Sequence, residues 1–288
     1  MTLVRKTYGK DRVRVLRVQR EVPGRPAGWH EVRETTVQAM VTGDFAETFT
    51  HADNSKSICT DTVKNIVNIV ARENVAFGNE AFCAAIARRL LDEYPMLDGA
   101  TVTGHETIWR RIVSDGEPQP HGFVLDGNGK PFARVTMTRS SMTTESGISG
   151  FTFMKSTQSG WAGYVKEPFT TLKETHDRIA ATAMDASWRW HSVPSDYDAA
   201  KAMVLDTMLK VFAGTYSHSI QDSLYRMGTA ALEAVPEVEE ISLACPNKHY
   251  LLVNLEPFGM DNDNLVFTAT DEPHGQIECT VGRSYNQS

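Results

Sequence analysis

Hydrophobic and polar residues alternate along several stretches of the chain, and such alternation is typical of β-strands with one buried face. The pattern predicts a hairpin made of Tyr8–Arg20 and Trp29–Gly43, joined by a turn rich in proline and glycine. Two further strand-like runs are predicted at Ala100–Ile112 and Phe123–Thr138, and Asp126–Gly129 within the second has the composition of a hairpin turn. The first half of the chain therefore contains two pairs of predicted strands.

Between these two pairs, apolar residues recur three and four positions apart, which predicts two amphipathic helices. The first is expected to follow Thr60 or Asp61, because either side chain is suited to be its N-cap. The second spans Asn79–Tyr94. The first half of the chain thus has the predicted order β-β-α-α-β-β.

The second half repeats this order of patterns without detectable sequence identity to the first. Its predicted elements are strands at Gly147–Lys155 and Ala183–His191, helices at Tyr197–Ala213 and Ser219–Ala234, and strands at Val238–Cys245, His249–Glu256 and Asn264–Ala269. We therefore predict an α+β protein of two β-β-α-α-β-β units, residues 1–141 and 142–288. Each unit is expected to have an antiparallel sheet with its helix pair on one face.

One apolar stretch, Ile241–Leu255, is interrupted by Pro246 and the polar residues that follow it. Alternation in an extended chain places Asn247 and His249 on the same face as the apolar Cys245, provided that the proline does not shift the register. Prolines in strands occur mainly at edges, strand ends or bulges, and bulges re-aim side chains beside active sites. The simpler interpretation is a surface turn between two strands, and the pattern alone favours that interpretation.

Composition excludes several classes of function. The chain has 288 residues, of which 41% are hydrophobic and 23% charged, as expected of a globular protein with a sizeable core. A net charge of -7 without a basic block argues against nucleic acid as a partner. Because the N-terminus is too charged for a secretion signal and no apolar run is long enough for a membrane span, we expect a cytoplasmic protein without a membrane partner.

Motifs for common cofactors and metals are missing from the sequence. The four cysteines form no CxxC pair and are expected to be buried free thiols, and the nine histidines show no metal-ligand spacing. The glycine-rich loops that bind dinucleotides or phosphates are also missing.

Taken singly, the polar residues that are candidates for chemistry have ordinary structural explanations. Lys10 fits a solvated charge on a strand, and Thr60 fits a helix cap. Arg178 fits a surface ion pair, Gln221 the polar first turn of a helix, and Trp161 a packing residue. Periodicity and composition therefore lead no further than an α+β protein of two similar halves.

Several motifs, in this order along the chain, resemble those of the urate oxidase (uricase) family. They are Tyr8-Gly9-Lys10, Thr60–Asn65, Lys155-Ser156-Thr157, Thr170–Thr175 with Asp177-Arg178, Pro246–Tyr250 and Cys279–Arg283. The resemblance implies tandem T-fold units that assemble into a tunnel-shaped homotetramer with active sites at subunit interfaces. It also implies oxidation of urate by O₂ and water to 5-hydroxyisourate and hydrogen peroxide, without cofactor or metal.

Urate is planar, anionic and rich in carbonyl and N–H groups, and the resemblance assigns residues to bind it. Arg178 would grip one edge bidentately, because its donors form a fixed fork. The amide of Gln221 would pair with the opposite edge, and Ile220 would contribute its backbone N–H. Thr60 and Asp61, at a helix start that favours an anion, would come from the neighbouring subunit.

The same resemblance assigns the residues that would move protons and hold oxygen. Lys10, Thr60 and His249 would form a proton relay, with Lys10 also supplied by the neighbouring subunit. A lysine close to an imidazole keeps that imidazole neutral, so that it can accept a proton near pH 7. Asn247 would bind substrate and position O₂ and the attacking water above the ring.

The family usually has phenylalanine at the position that stacks on the substrate ring. This sequence has Trp161 there, which offers a larger face. Phe153 and Tyr164 are the less favoured alternatives for this role.

Two other functions are compatible with the resemblance. The first is a purine-binding protein that has lost catalysis, and the second is a T-fold enzyme that acts on pterins with the help of a metal. The joint presence of Lys10, Thr60, Asn247 and His249 favours the oxidase over the binding protein. The missing histidine cluster favours it over the metal enzyme.

Overall fold

The computed structural model describes residues 1–283, which fall into two compact units. The first contains Met1–Gly147 with Arg189–Asp198, and the second contains Ile148–Trp188 and the chain from Ala199 onward. Antiparallel strands and α-helices occur in both units, so the predicted α+β class is confirmed.

The first unit is a sheet with a helix pair packed against it. Its elements are β1 (Tyr8–Gln19), β2 (Glu31–Gly43), α1 (Ala46–Thr50), α2 (Thr60–Glu73), α3 (Asn79–Glu93), β3 (Leu97–Ser114), β4 (Glu117–Asp126) and β5 (Lys130–Thr138). The strands run antiparallel in the order β1-β2-β3-β5, and β4 pairs with the distal part of β3. Alternate side chains of β2, including Val37, Ala39 and Val41, are fully buried in the core with the apolar stripes of α2 and α3.

The second unit has the same basic order, β-β-α-α-β-β, and its described residues form no counterpart of α1 or β4. Its elements are β6 (Met142–Lys155), β7 (Ala180–Trp190), α4 (Tyr197–Gly214), α5 (Ile220–Ala234), β8 (Val238–Leu252), a 3₁₀ turn (Glu256–Phe258) and β9 (Phe267–Gly282). Within this unit the strand order is β6-β7-β8-β9, although β6 begins and β7 ends among residues of the first unit. Ser219 caps α5 as predicted, since its hydroxyl accepts the N–H of Asp222 at 3.0 Å.

Four cations close the C-terminal ends of the four long helices, at the same two places in each unit. Arg17 on β1 donates to two carbonyls just beyond α2, at 2.8 and 3.1 Å, and Lys155 at the end of β6 donates to two carbonyls around the end of α4, at 2.8 and 3.1 Å. Arg139 and Arg283, each directly after the last strand of its unit, donate to carbonyls around the ends of α3 and α5. Cations satisfy the free carbonyls of helix ends and complement their partial negative charge.

The predicted N-cap of α2, Thr60 or Asp61, is wrong. The cap is Cys59, whose sulfur accepts the N–H of Asp61 at 3.4 Å, and Thr60 is already helical. Cysteine is not among the usual capping residues, so the more typical Thr60 and Asp61 were preferred. Cys59 is also exposed, in contrast to the expectation of buried thiols, whereas Cys83 and Cys245 are buried.

The predicted strand break at Pro246 is also wrong. β8 continues through the proline, and the irregularity in its pairing with β9 comes after Asn247. Asn247 is opposite Gly275 whereas His249 is opposite Thr270, so β9 has extra residues at this point. The bulge therefore lies in the partner strand, next to the two polar residues of β8.

The last strand is longer than predicted. The sequence indicated Asn264–Ala269, whereas β9 spans Phe267–Gly282. Most side chains between Glu272 and Glu278 are exposed and polar, so the sequence there has no alternation to recognise. No helix within the described part of the chain is long and apolar enough to cross a membrane.

Candidate active site

A small cavity of about 130 Å³ in the second unit gathers most of the predicted site residues. It is lined by Trp161, Leu172, Arg178, Ile220, Gln221, Asn247, His249 and Ile277. Three segments contribute these side chains: the loop between β6 and β7, the start of α5, and the β8–β9 pair. The volume is below the roughly 300–1,000 Å³ of pockets that bury drug-sized ligands.

The loop between β6 and β7 holds an aromatic platform and a cation. Trp161 and Thr175 exchange two backbone hydrogen bonds, of 2.7 and 3.0 Å. The ring of Trp161 stacks on that of Tyr164, with centroids 5.5 Å apart and planes inclined by 11°. The backbone N–H of Arg178 donates to the carbonyl of Ser159 at 2.9 Å, so the loop is fixed at both of its functional residues.

The guanidinium of Arg178 is half-buried and has an unused donor. Its Nε atom is buried without a hydrogen-bond partner, and burial lowers the pKa of Arg178 from its ordinary value. A buried donor without an acceptor costs free energy, and the cost is larger for a charged group. A ligand that brings a carbonyl or anionic oxygen into the cavity would supply the missing acceptor.

The start of α5 presents amide groups to the same cavity. Ile220 and Gln221 are the first two residues of the helix, where backbone N–H groups have no partner inside the helix. The side chain of Ile220 is buried, so its backbone group is the part available for polar contact. The side chain of Gln221 is exposed and adds an amide with both a donor and an acceptor.

Asn247 and His249, next to the β9 bulge, supply a second amide and an imidazole. Both are half-buried and both line the cavity, as alternation along the strand predicts. The intervening Lys248 does not line it. The structure therefore brings together Arg178, Gln221 and these two side chains from segments far apart in the sequence.

Two apolar lining residues were not predicted. Leu172 could have been found, because it lies within the Thr170–Thr175 motif that resembles the family. Ile277 could not, because it is an isolated apolar residue in the polar part of β9. Among the alternatives to Trp161, Tyr164 stacks on it, whereas Phe153 packs edge-on against Phe212 with centroids 4.8 Å apart. Trp161 is the aromatic residue that lines the cavity.

The other predicted residues, Lys10, Thr60 and Asp61, lie in the first unit. Lys10 is half-buried on β1, and Thr60 and Asp61 open α2. A hydrogen bond from Lys64 lowers the pKa of Asp61, and the nearby charges of Lys64 and Lys10 lower it further. These residues therefore form a separate polar group at a helix start, and they do not line the cavity described above.

A metal site requires several His, Cys, Asp or Glu side chains close together. Among the side chains that the structure describes, no group of three or more His, Cys, Asp or Glu residues is arranged to hold a metal ion. The polar atoms of the cavity are instead those of a guanidinium, two amides and an imidazole.

The fold and the cavity together define the class of protein: an α+β protein of two similar units with a cleft suited to a small, planar, polar molecule. A family model described as uricase matches residues 6–136 and 144–278. The chain belongs to the uricase family. This membership confirms the resemblance found in the sequence motifs and the predicted class of enzyme, an oxidoreductase that acts on urate.

Known uricases are similar in sequence to this chain along nearly its whole length. The uricase of Arthrobacter globiformis is 37% identical over 276 residues, which cover 96% of this chain and 88% of that protein. The uricase of Cyberlindnera jadinii is also 37% identical, over 98% of this chain and 97% of its own. The crystal structure of the Arthrobacter globiformis uricase has a TM-score of 0.92 at 36% identity, and covers 100% of this chain and 97% of that one.

Proposed function

We propose that this protein catalyses the reaction of urate, O₂ and water to 5-hydroxyisourate and hydrogen peroxide, as a step in purine degradation. Urate loses two electrons to O₂, water supplies the hydroxyl oxygen of the product, and two protons go to peroxide. The observation that carries the proposal is the unused guanidinium donor of Arg178 in a cavity that also contains an aromatic face and two amides.

The substrate would lie flat against Trp161 with its edges held by Arg178 and Gln221. A bidentate guanidinium complements adjacent carbonyl and anionic nitrogen atoms. An amide complements an edge that offers one donor and one acceptor. The backbone N–H of Ile220 would hold a further acceptor, and Asn247 would touch the substrate from the side on which O₂ and water react.

Proton transfer would require residues of both units. We infer that His249 takes part in a relay with Lys10 and Thr60, which a neighbouring copy of the chain supplies together with Asp61. The hydroxyl of Thr60 donates and accepts at once, so it suits the middle position of such a relay. The charge of Lys10 would disfavour a second positive charge on the imidazole and leave it free to accept a proton.

The proposed assembly is a homotetramer with tunnel-like shape, in which two T-fold units per chain, residues 1–141 and 142–288, contribute to sites at subunit interfaces. The small volume of the cavity supports an interface site, because a second copy would supply the missing wall. We further propose that the reaction needs neither cofactor nor metal and that the protein is cytoplasmic.

One assay tests the reaction. The purified protein is mixed with urate in air, and urate absorbance and hydrogen peroxide are followed together, before and after treatment with a chelator. We expect one peroxide per urate consumed and an undiminished rate after chelation. Tight urate binding without peroxide would indicate a purine-binding protein that has lost catalysis, and a rate lost on chelation would contradict the metal-free mechanism.

A further inference from the structure

Two short segments that carry the substrate-binding groups are joined to each other behind the cavity. One is the loop segment, residues 157–178, which carries Trp161 and Arg178, and the other is the helix-start segment, residues 215–221, which carries Gln221. The N–H of Gly160 donates to the carbonyl of Ser217, and the N–H of Ser217 donates to the carbonyl of Gln158, both at 2.9 Å. Ser217 is thus the point at which the two segments meet.

Ser217 is in turn fixed by a buried side chain of α5. The hydroxyl oxygen of Ser223 lies 2.7 Å from that of Ser217 and 3.1 Å from the carbonyl oxygen of Ser219, the cap of the helix. Ser217 and Ser223 are only 1% and 5% exposed, so water does not compete for these contacts. The hydroxyl of Ser223 therefore contacts both Ser217, where the two segments meet, and Ser219, which precedes Ile220.

A tyrosine strengthens the same junction. The hydroxyl of Tyr216 donates to the carbonyl of His176, two residues before Arg178, at 2.8 Å. A Cβ atom at Gly160 would lie 2.3 Å from that hydroxyl, so the close approach of the segments requires glycine there. Arg226 of α5 donates to the carbonyl of Tyr216 at 2.7 Å, which links this contact to the helix as well.

We propose that Ser223, acting through Ser217, is a positioning residue that sets the separation between Arg178 and Gln221. Neither serine lines the cavity, so neither is expected to touch the substrate. The proposal rests on the proposed function of the site, in which the side chains of Arg178 and Gln221 hold opposite edges of one rigid ring. Because a planar ring cannot adjust its width, a small change in that separation weakens both contacts at once.

The proposal predicts a particular kinetic change. Loss of one buried hydrogen bond that fixes a binding geometry is expected to raise KM about threefold to tenfold. The turnover number kcat is expected to change by less than about twofold, because the relay residues are unaffected. The pH profile of kcat is expected to remain that of the wild type.

The experiment compares Ser223→Ala, which removes the hydroxyl, with Ser223→Thr, which keeps it. Ser242→Ala is the matched control, since it removes a serine hydroxyl bonded to Thr280 at 2.9 Å on the solvent side of the same unit. We expect a raised KM in Ser223→Ala, recovery in Ser223→Thr, and wild-type kinetics in the control. If Ser223→Ala does not fold, Ser217→Ala removes the same contact from its other end.

Calorimetric titration with urate separates this proposal from the proposed function. If the wild type binds urate but does not oxidise it, the proposed function fails, and a weakened urate affinity in Ser223→Ala still supports the positioning role. If the wild type oxidises urate and Ser223→Ala keeps both wild-type KM and wild-type affinity, the positioning role is overturned. A fall in kcat with unchanged KM also overturns it.

Discussion

The two units share their architecture, but their corresponding positions serve different purposes. Helices α3 and α5 have 15 residues each, and each is followed at the same spacing by a proline, Pro95 or Pro236, and by a long strand. This spacing makes Glu80 the counterpart of Gln221, Glu106 the counterpart of Asn247, and Ile108 the counterpart of His249. None of the three cavity side chains is repeated in the first unit.

In the first unit the same positions are occupied by the buried Glu80, by Glu106 and by the apolar Ile108. Glu80 is buried and accepts a hydrogen bond of 2.6 Å from Ser146, which itself accepts one of 2.8 Å from Trp190. A cavity of about 260 Å³ lies beside Glu106 and Ile108, and both carboxylates (Glu31, Glu34) and guanidinium groups (Arg17, Arg33) line it. Its charges are therefore mixed, whereas the side chains that line the cavity of the second unit include the cation Arg178 and no carboxylate.

Contacts of cations with helix ends are repeated in the two units, whereas the cavity side chains are not. The four cations at the helix ends keep the same places in both units, although Lys155 replaces arginine at one of them. In the proposed function, the second unit holds the substrate and the first unit supplies Lys10, Thr60 and Asp61 to a neighbouring copy.

The largest expected effect distinguishes His249 from its counterpart. Replacing His249 with alanine removes the proposed proton acceptor and is expected to lower kcat by ~10²-fold or more. Ile108→Ala changes the corresponding position of the first unit and is expected to leave kcat within about twofold. Steady-state kinetics of the two variants with urate measure the difference, and equal losses would remove His249 from the relay.

A smaller effect on the kinetics is expected when Gln221 is replaced by glutamate, the residue at the corresponding position of the first unit. Gln221→Glu puts a carboxylate next to an anionic substrate and is expected to raise KM about tenfold. Glu80→Gln, the reverse change in the first unit, is expected to alter stability but not KM. Urate kinetics and thermal unfolding of both variants test this pair, and an unchanged KM in Gln221→Glu would contradict the assignment of the amide.

The smallest effect concerns stability in alkaline solution. Burial raises the pKa of Cys245 from 9.0 to about 12, whereas the counterpart in the first unit is Gly104, which has no side chain to titrate. Between these values the folded state keeps a proton that the unfolded state has lost, so the free energy of unfolding falls as pH rises, by about 1.4 kcal/mol per unit.

Urea unfolding at several pH values between 8 and 10 measures this dependence. The free energy of unfolding of Cys245→Ala is expected to fall less steeply with pH than that of the wild type, because the variant has no thiol to titrate at this position. By pH 10 the wild type is expected to have lost about 1 kcal/mol more than the variant. The overall stability of the variant is expected to be lower at every pH because of the lost packing. Parallel curves for the variant and the wild type would show that the buried thiol does not contribute.

Elements with strong periodicity were predictable from the sequence, and elements defined by their partners were not. The hairpin of β1 and β2, the helices and the cap at Ser219 all have local signals. Pro246 was misleading because the strand β8 tolerates it through pairing with β9, which no local rule reveals. The polar part of β9 is a strand only because β8 lies beside it.

The candidate site was even less predictable from periodicity. Trp161 and Arg178 lie on an irregular loop, and their positions depend on backbone contacts with Thr175 and Ser159. Asn247 and His249 were the exceptions, since alternation along the strand placed both on the face of Cys245, although the pattern alone favoured a surface turn. Motif resemblance identified the remaining residues, and Ile277 escaped both approaches because a single apolar residue in a polar stretch carries no pattern.

The central claim is that the cavity of the second unit is completed by Lys10 and Thr60 of another copy. A mixture of two defective variants tests it most directly. Lys10→Met carries its defect in the first unit, and Arg178→Ala carries its defect in the second. Each variant alone is expected to lose at least ~10²-fold in urate turnover. When the two are refolded together, about a quarter of the sites would combine intact halves and regain activity. A mixture no more active than its parents would contradict the claim.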